Sequence, residues 1–264
     1  MEVLSKAYNG LRGLVRRLTN SPTAEEPLPP KKENREAWYA EWDDNYMDDW
    51  LDNYLSKAVL RKIADSYYQN QFEQIINGAT KLSAESYPFL RDVYSACCDA
   101  LGMYNQPEAY ITGKMMGINA LSLEVAGRQV ILISPTVATC LSPSEQMFLL
   151  GHEISHHQQG NLVCHTVNGL IDDFSKASEI IGPLVLDAIE VPLKRWCRQS
   201  EFNADRAGLI CCGSLETAYL LFQRLGMNRN PKAFDRLQEL SSPYPLLQTR
   251  WEMLQQYERN FKKY

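Results

Sequence analysis

A chain of 264 residues, 45% of them hydrophobic, is long enough to bury a full core and suits one large domain with an extension. A net charge of -5 with no long basic run excludes nucleic acid as the expected partner. No stretch reaches the ~18 uncharged apolar residues of a spanning helix, since even residues 179–190 are interrupted by acids and Pro183.

Residues 1–20 read as a short basic amphipathic helix, with Val3, Leu4, Ala7, Tyr8, Leu11, Leu14, Val15 and Leu18 at helical spacing. Gly10 and Gly13 weaken such a helix in isolation, which favours packing on the protein or a partner over peripheral membrane contact. Met1 to Lys6 lacks a basic segment followed by an unbroken apolar core, so secretion is not expected, while organelle import stays open. Residues 21–36 carry Pro22, Pro27, Pro29 and Pro30 among charged residues and read as a linker. Residues 37–82 form an expected helical extension rich in aromatics (Trp38, Tyr39, Trp42, Tyr46, Trp50) and acids. It either covers the main domain with its aromatics or holds that domain latent.

The main domain is expected over residues 83–264. Helices are predicted at 55–78 and 83–101, and strands at 109–112, 121–125 and 129–134, the last two joined at Ala126-Gly127. Later helical segments are broken at Gly182-Pro183, Pro192, Gly213 and Pro231. The fold class is α+β, mostly helical, with a small sheet beside the helix described next.

That helix begins at Pro143. Ser142 is a natural N-cap, Pro143 suits the first helical position, and Glu145 completes a capping box. It is expected to run to about His157, with Gly160 as its stop. All four histidines fall between His152 and His165, and two frame Gly151-His152-Glu153-Ile154-Ser155-His156. Positions four apart share a helix face, so His152 and His156 can offer two imidazoles to one zinc ion, with Glu153 placed to take a proton from water.

A catalytic zinc site normally adds a third protein ligand. The extended pattern with a further Gly and His is excluded, because Gln159 and Leu162 stand at those positions. Glu201 and Asp205 instead lie four apart on one helical face. Alone they read as a solvated acidic face; beside the histidine motif, Glu201 becomes a ligand and Asp205 the acceptor for a ligand histidine's far nitrogen.

The two motifs together, over about residues 87–254, resemble the gluzincin metallopeptidases of the HtpX-like and type I CAAX prenyl protease family. The resemblance implies His152, His156 and Glu201 as zinc ligands, Glu153 as general base and acid, and Asp205 in support. It places Asn119, Ala120 and Arg250 at the substrate. The family carries a His-Pro pair six residues before an Arg; here Tyr244-Pro245 stands six residues before Arg250, so a phenol takes the place of the imidazole that steadies the oxyanion. A structural tyrosine is the other reading of Tyr244. The best-known relatives are membrane-embedded, whereas this chain resembles a soluble member.

The expected activity is that of a zinc metalloendopeptidase acting on peptides or proteins. The alternatives are a latent or partner-activated protease held off by its N-terminal region, a pseudoenzyme or adaptor with structural zinc, and a metallohydrolase for a non-peptide substrate. Retention of Glu153 speaks against a purely structural metal. His157 lies about 100° around the helix from the ligands and is expected to meet solvent or a core carbonyl. His165 beside Cys164 makes only a weak second metal motif. Seven cysteines without disulfide-scaffold spacing suit a reducing compartment, so the expected location is cytoplasmic.

Overall fold

The computed structural model describes residues 69, 72–158, 162, 183–242 and 244–261. The expectations for residues 1–20 and 21–36, for nearly all of 37–71 and for His165 lie outside the described residues. The elements run β1 (Thr80–Lys81), α1 (Pro88–Leu101), β2 (Glu108–Ile111), β3 (Ala120–Val125), β4 (Arg128–Ile133), α2 (Pro135–Cys140), α3 (Pro143–Gln158), α4 (Pro183–Cys212), α5 (Leu215–Arg224), α6 (Ala233–Ser241) and α7 (Leu247–Phe261). The architecture is α+β and mostly helical, with one four-stranded sheet ordered β1-β2-β4-β3. Among the described residues, no helix is long and apolar enough to cross a membrane.

β3 and β4 pair antiparallel, while β2 joins β4 in parallel. The β3–β4 turn falls on Ala126 and Gly127, both at positive φ (51° and 74°), the geometry that matches the twist of a two-residue hairpin. Period-two alternation then sorts the two faces. Ile131 and Ile133 enter the core shared with the helices, whereas Val130, Leu132 and Val125 pack with Phe72 and Tyr110 on the other side. Residues 72–82, read from sequence as part of the extension, supply Phe72 and Leu82 to these cores and β1 to the sheet.

The three strands expected from sequence fall within one residue of that reading, and three larger differences stand out. α1 starts at Pro88 rather than at 83, because Ser83 and Ser86 turn the chain first: Ser83 Oγ accepts from the backbone of Glu85 and Ser86. α2 was not foreseen; it is six residues long and has no amphipathic repeat to reveal it. α4 continues through Pro192, where a break was expected. A proline inside a helix removes one backbone donor, and this 30-residue helix continues past that loss.

The main packing is α3 against α4, with α1 touching both and the sheet alongside α3. Two glycines let α3 and α4 approach closely. A Cβ on Gly151 would stand 2.6 Å from Cys211 Sγ, and one on Gly208 would stand 2.6 Å from the Phe148 carbonyl oxygen.

Candidate metal centre

The N-terminus of α3 follows the capping-box prediction. Glu145 Oε2 accepts from the Ser142 backbone N–H at 2.8 Å, and the Glu145 N–H donates to Ser142 Oγ at 3.4 Å. Arg224 of α5 adds a 3.0 Å ion pair to Glu145, so the cap is also a tertiary contact. These hydrogen bonds and the Arg224 charge outweigh burial and hold the Glu145 carboxyl below the usual carboxylate range.

From this fixed start, α3 carries His152, Glu153 and His156 into the interior, all buried. The two imidazoles stand edge to face, and their Nε2 atoms are 3.2 Å apart. Across the interface, α4 brings Glu201 to 3.6 Å from each Nε2, one carboxylate oxygen to each histidine. The three side chains form a cluster able to hold one metal ion.

The donor geometry fits such an ion. Four ligands placed tetrahedrally at ~2.0–2.1 Å stand roughly 3.3–3.4 Å from one another, close to the observed 3.2, 3.6 and 3.6 Å. Charge agrees as well. With Glu153, Glu201 and Asp205 ionised, three buried carboxylates face one partly buried guanidinium, Arg250, a deficit that a divalent cation cancels.

Asp205, one helical turn beyond Glu201, is fully enclosed and its Oδ1 lies 3.1 Å from His152 Nδ1. A carboxylate can only accept here, so Nδ1 carries the proton and Nε2 turns its lone pair toward the cluster. Arg250 of α7 holds both carboxylates: Nε donates to Asp205 Oδ2 at 2.8 Å, Nη2 to Asp205 Oδ1 at 2.5 Å, and Nη1 lies 2.9 Å from Glu201 Oε2. Burial opposes ionisation of Asp205, but the Arg250 charge and hydrogen bonds prevail and keep its pKa below normal. Arg250, expected at the substrate, thus lines the cleft while spending its nitrogens on the carboxylates around the ligands.

Glu153 behaves differently. Burial pushes its carboxyl pKa up, with the His152 charge and a Ser122 hydrogen bond only partly opposing the shift. Ser122 of β3 was missed in the sequence; the available signal was a hydroxyl at an inward position of a strand whose neighbours Leu121 and Leu123 point the other way. His157, expected near solvent or a core carbonyl, is buried. Neither of its ring nitrogens has a partner of ordinary geometry among the described residues, and the Val130 backbone offsets the burial only weakly.

A cleft of about 420 Å³ opens onto the cluster. Its lining includes Ile118 to Leu123, with Asn119 and Ala120 among them, and also Leu221, Phe222, Leu225 and Tyr244. The strand side is the outer edge of the sheet, since β3 is the terminal strand. Tyr244 is half exposed on the loop between α6 and α7. That loop is fixed by buried Glu239, which accepts from the Leu246 N–H at 3.1 Å and from Thr249 Oγ1 at 2.9 Å.

The helix carrying His-Glu-x-x-His, the glutamate from a second helix and the cleft along an edge strand together have the layout of a metallopeptidase. No curated protein and no solved structure matches the chain. The model of peptidase family M48 matches residues 86–258, a span that contains all of these features, and the chain belongs to that family of metallopeptidases.

Proposed function

We propose that the protein is a zinc-dependent endopeptidase in which His152, His156 and Glu201 hold one zinc ion and Glu153 is the general base. The observation that carries this reading is the donor triangle of 3.2, 3.6 and 3.6 Å with a buried glutamate next in sequence to one of its corners. When bound, the zinc supplies Lewis acidity, polarising the scissile carbonyl and acidifying water. Glu153 takes the proton of the attacking water and passes it to the leaving amine. Its raised pKa suits both halves of that task, because a carboxyl of ordinary acidity holds a proton poorly at neutral pH.

Asp205 and Arg250 keep His152 and Glu201 in place. Asn119 and Ala120 lie where an extended peptide pairs with the outer edge of β3, main chain to main chain. Tyr244, which also lines the cleft, has a phenolic O–H able to donate to the developing oxyanion. Apart from the metal-site groups, most side chains lining the cleft are apolar. Substrates with leucine, phenylalanine or methionine beside the cut bond therefore suit it better than charged ones.

The test is cleavage of a mixed peptide library by zinc-loaded protein beside Glu153→Gln. Cuts made by the wild type and lost in the variant support the assignment; equal cutting by both removes Glu153 from the mechanism. If neither form cuts, a truncated protein lacking the residues before Leu55 separates the readings: activity gained on truncation supports latency through the N-terminal region, and continued inactivity favours an adaptor.

A further inference from the structure

One hydroxyl on the cleft-lining strand touches Glu153 twice. Ser122 Oγ lies 2.7 Å from Glu153 Oε2 and 2.8 Å from the Glu153 backbone carbonyl oxygen. Ser122 is itself buried, and its partner in the β4 register is Ile131, a residue of the core between sheet and helices. An apolar side chain would suit that position on packing grounds alone, so a hydroxyl there calls for a polar reason.

Proton counting supplies one. A serine has one O–H and two lone pairs. Facing a carboxylate, the O–H is shared between Oε2 and the carbonyl oxygen. Facing a carboxylic acid, Oγ accepts from the acid and donates to the carbonyl. One position of Ser122 therefore satisfies Glu153 both before and after it has taken a proton. Because both contacts end on the same residue, they also fix the glutamate side chain against its own backbone.

We propose that Ser122 is a positioning residue of the reaction: held at β3, its hydroxyl keeps the Glu153 carboxyl aimed at the attacking water and ties that aim to the strand along which substrate lies. The inference rests on Glu153 being the base. Ser122 touches neither substrate nor reacting atoms in this scheme; it acts through Glu153.

The experiment compares zinc-loaded full-length wild type, Ser122→Ala and Ser122→Thr on the best peptide of the library. Misplacing the base lowers kcat of the alanine variant by about tenfold to a hundredfold, with KM and zinc content unchanged. Threonine keeps the hydroxyl, and its branched Cβ suits a strand, so it restores most of kcat. An alanine variant with wild-type kcat, or a loss traced wholly to KM or to zinc content, overturns the proposal. Crystal structures of the zinc-loaded wild type and alanine variant decide independently of activity. The Glu153 carboxyl is expected in one place in the first and displaced or spread in the second; an identical single position in both overturns the idea. If neither the full-length wild type nor the protein truncated before Leu55 cuts, the peptidase reading falls instead, and the crystallographic comparison still tells whether Ser122 sets the place of Glu153.

Discussion

The proposed role of Asp205 in holding a ligand histidine is open to a direct test. Its carboxylate accepts from His152 Nδ1 and is in turn gripped by two nitrogens of Arg250. Asp205→Ala frees the imidazole to rotate and leaves the Arg250 charge half paired in the interior. Zinc affinity should fall by about tenfold to a hundredfold, read by competition with a chromogenic chelator. His157 sets a different expectation. Burial pulls its pKa down to about 4 in the folded chain, against an ordinary value near ~6.5. Below that ordinary value the unfolded chain takes up a proton that the folded one refuses, so stability is full above it and declines until the folded pKa is reached. The total cost is about 3 kcal/mol. Denaturation by urea at a series of pH values, with chelator present throughout, should show a shallower acid decline in His157→Leu than in the wild type. Parallel curves would remove the imidazole from the acid response.

Among the elements, α3 and α4 carry the site between them, and their approach depends on Gly151 and Gly208. The clash at Gly208 is with backbone, the Phe148 carbonyl oxygen at 2.6 Å, which cannot swing aside as a side-chain tip can. Gly208→Ala should therefore separate the helices and draw Glu201 away from the two histidines. Overpacking of this kind costs about 1–3 kcal/mol, visible as a lower urea midpoint together with weaker zinc binding. A stable variant with normal zinc affinity would show that the interface has slack. The cap of α3 makes a smaller and separable contribution. Ser142→Ala removes the hydroxyl that accepts from the Glu145 N–H and should cost about 1 kcal/mol without altering the metal cluster. Much of this level was legible in advance: the Ser-Pro-Ser-Glu start, the hairpin turn and the spacing of the ligands are local, and local preferences act wherever the segment lies. α2 and the passage of α4 through Pro192 were not, because tertiary packing decides them against weak or contrary local signals.

For the molecule as a whole, the proposed metal site predicts that metal binding and stability are coupled. Three buried carboxylates crowd around one guanidinium, so with all three ionised the metal-free protein holds an excess of negative charge that a divalent ion relieves. Zinc that binds the folded chain alone stabilises it by mass action, by about 2.7 kcal/mol at a hundredfold excess over Kd. A chelator should lower Tm, and added zinc should restore it; in Glu201→Gln the response to zinc should shrink, since one ligand loses its charge. An unchanged Tm on chelation would mean that the carboxylates are neutralised in some other way.

The sequence by itself determined the chemistry on offer. Two histidines one turn apart with a glutamate between them, and a glutamate and aspartate one turn apart on a later helix, suggest a ligand set with a supporting carboxylate, because helical periodicity alone brings each pair to one face. What only the tertiary structure decided was how the two faces meet. The packing of α3 on α4 places Glu201 at equal distances from both imidazoles, α7 sends Arg250 in behind the ligands, and β3 lays Ser122 against Glu153. Contacts between residues 31 to 98 positions apart leave no periodic trace in the chain. They arise because burying the apolar faces of four separate elements brings those polar side chains together, where they pair with one another.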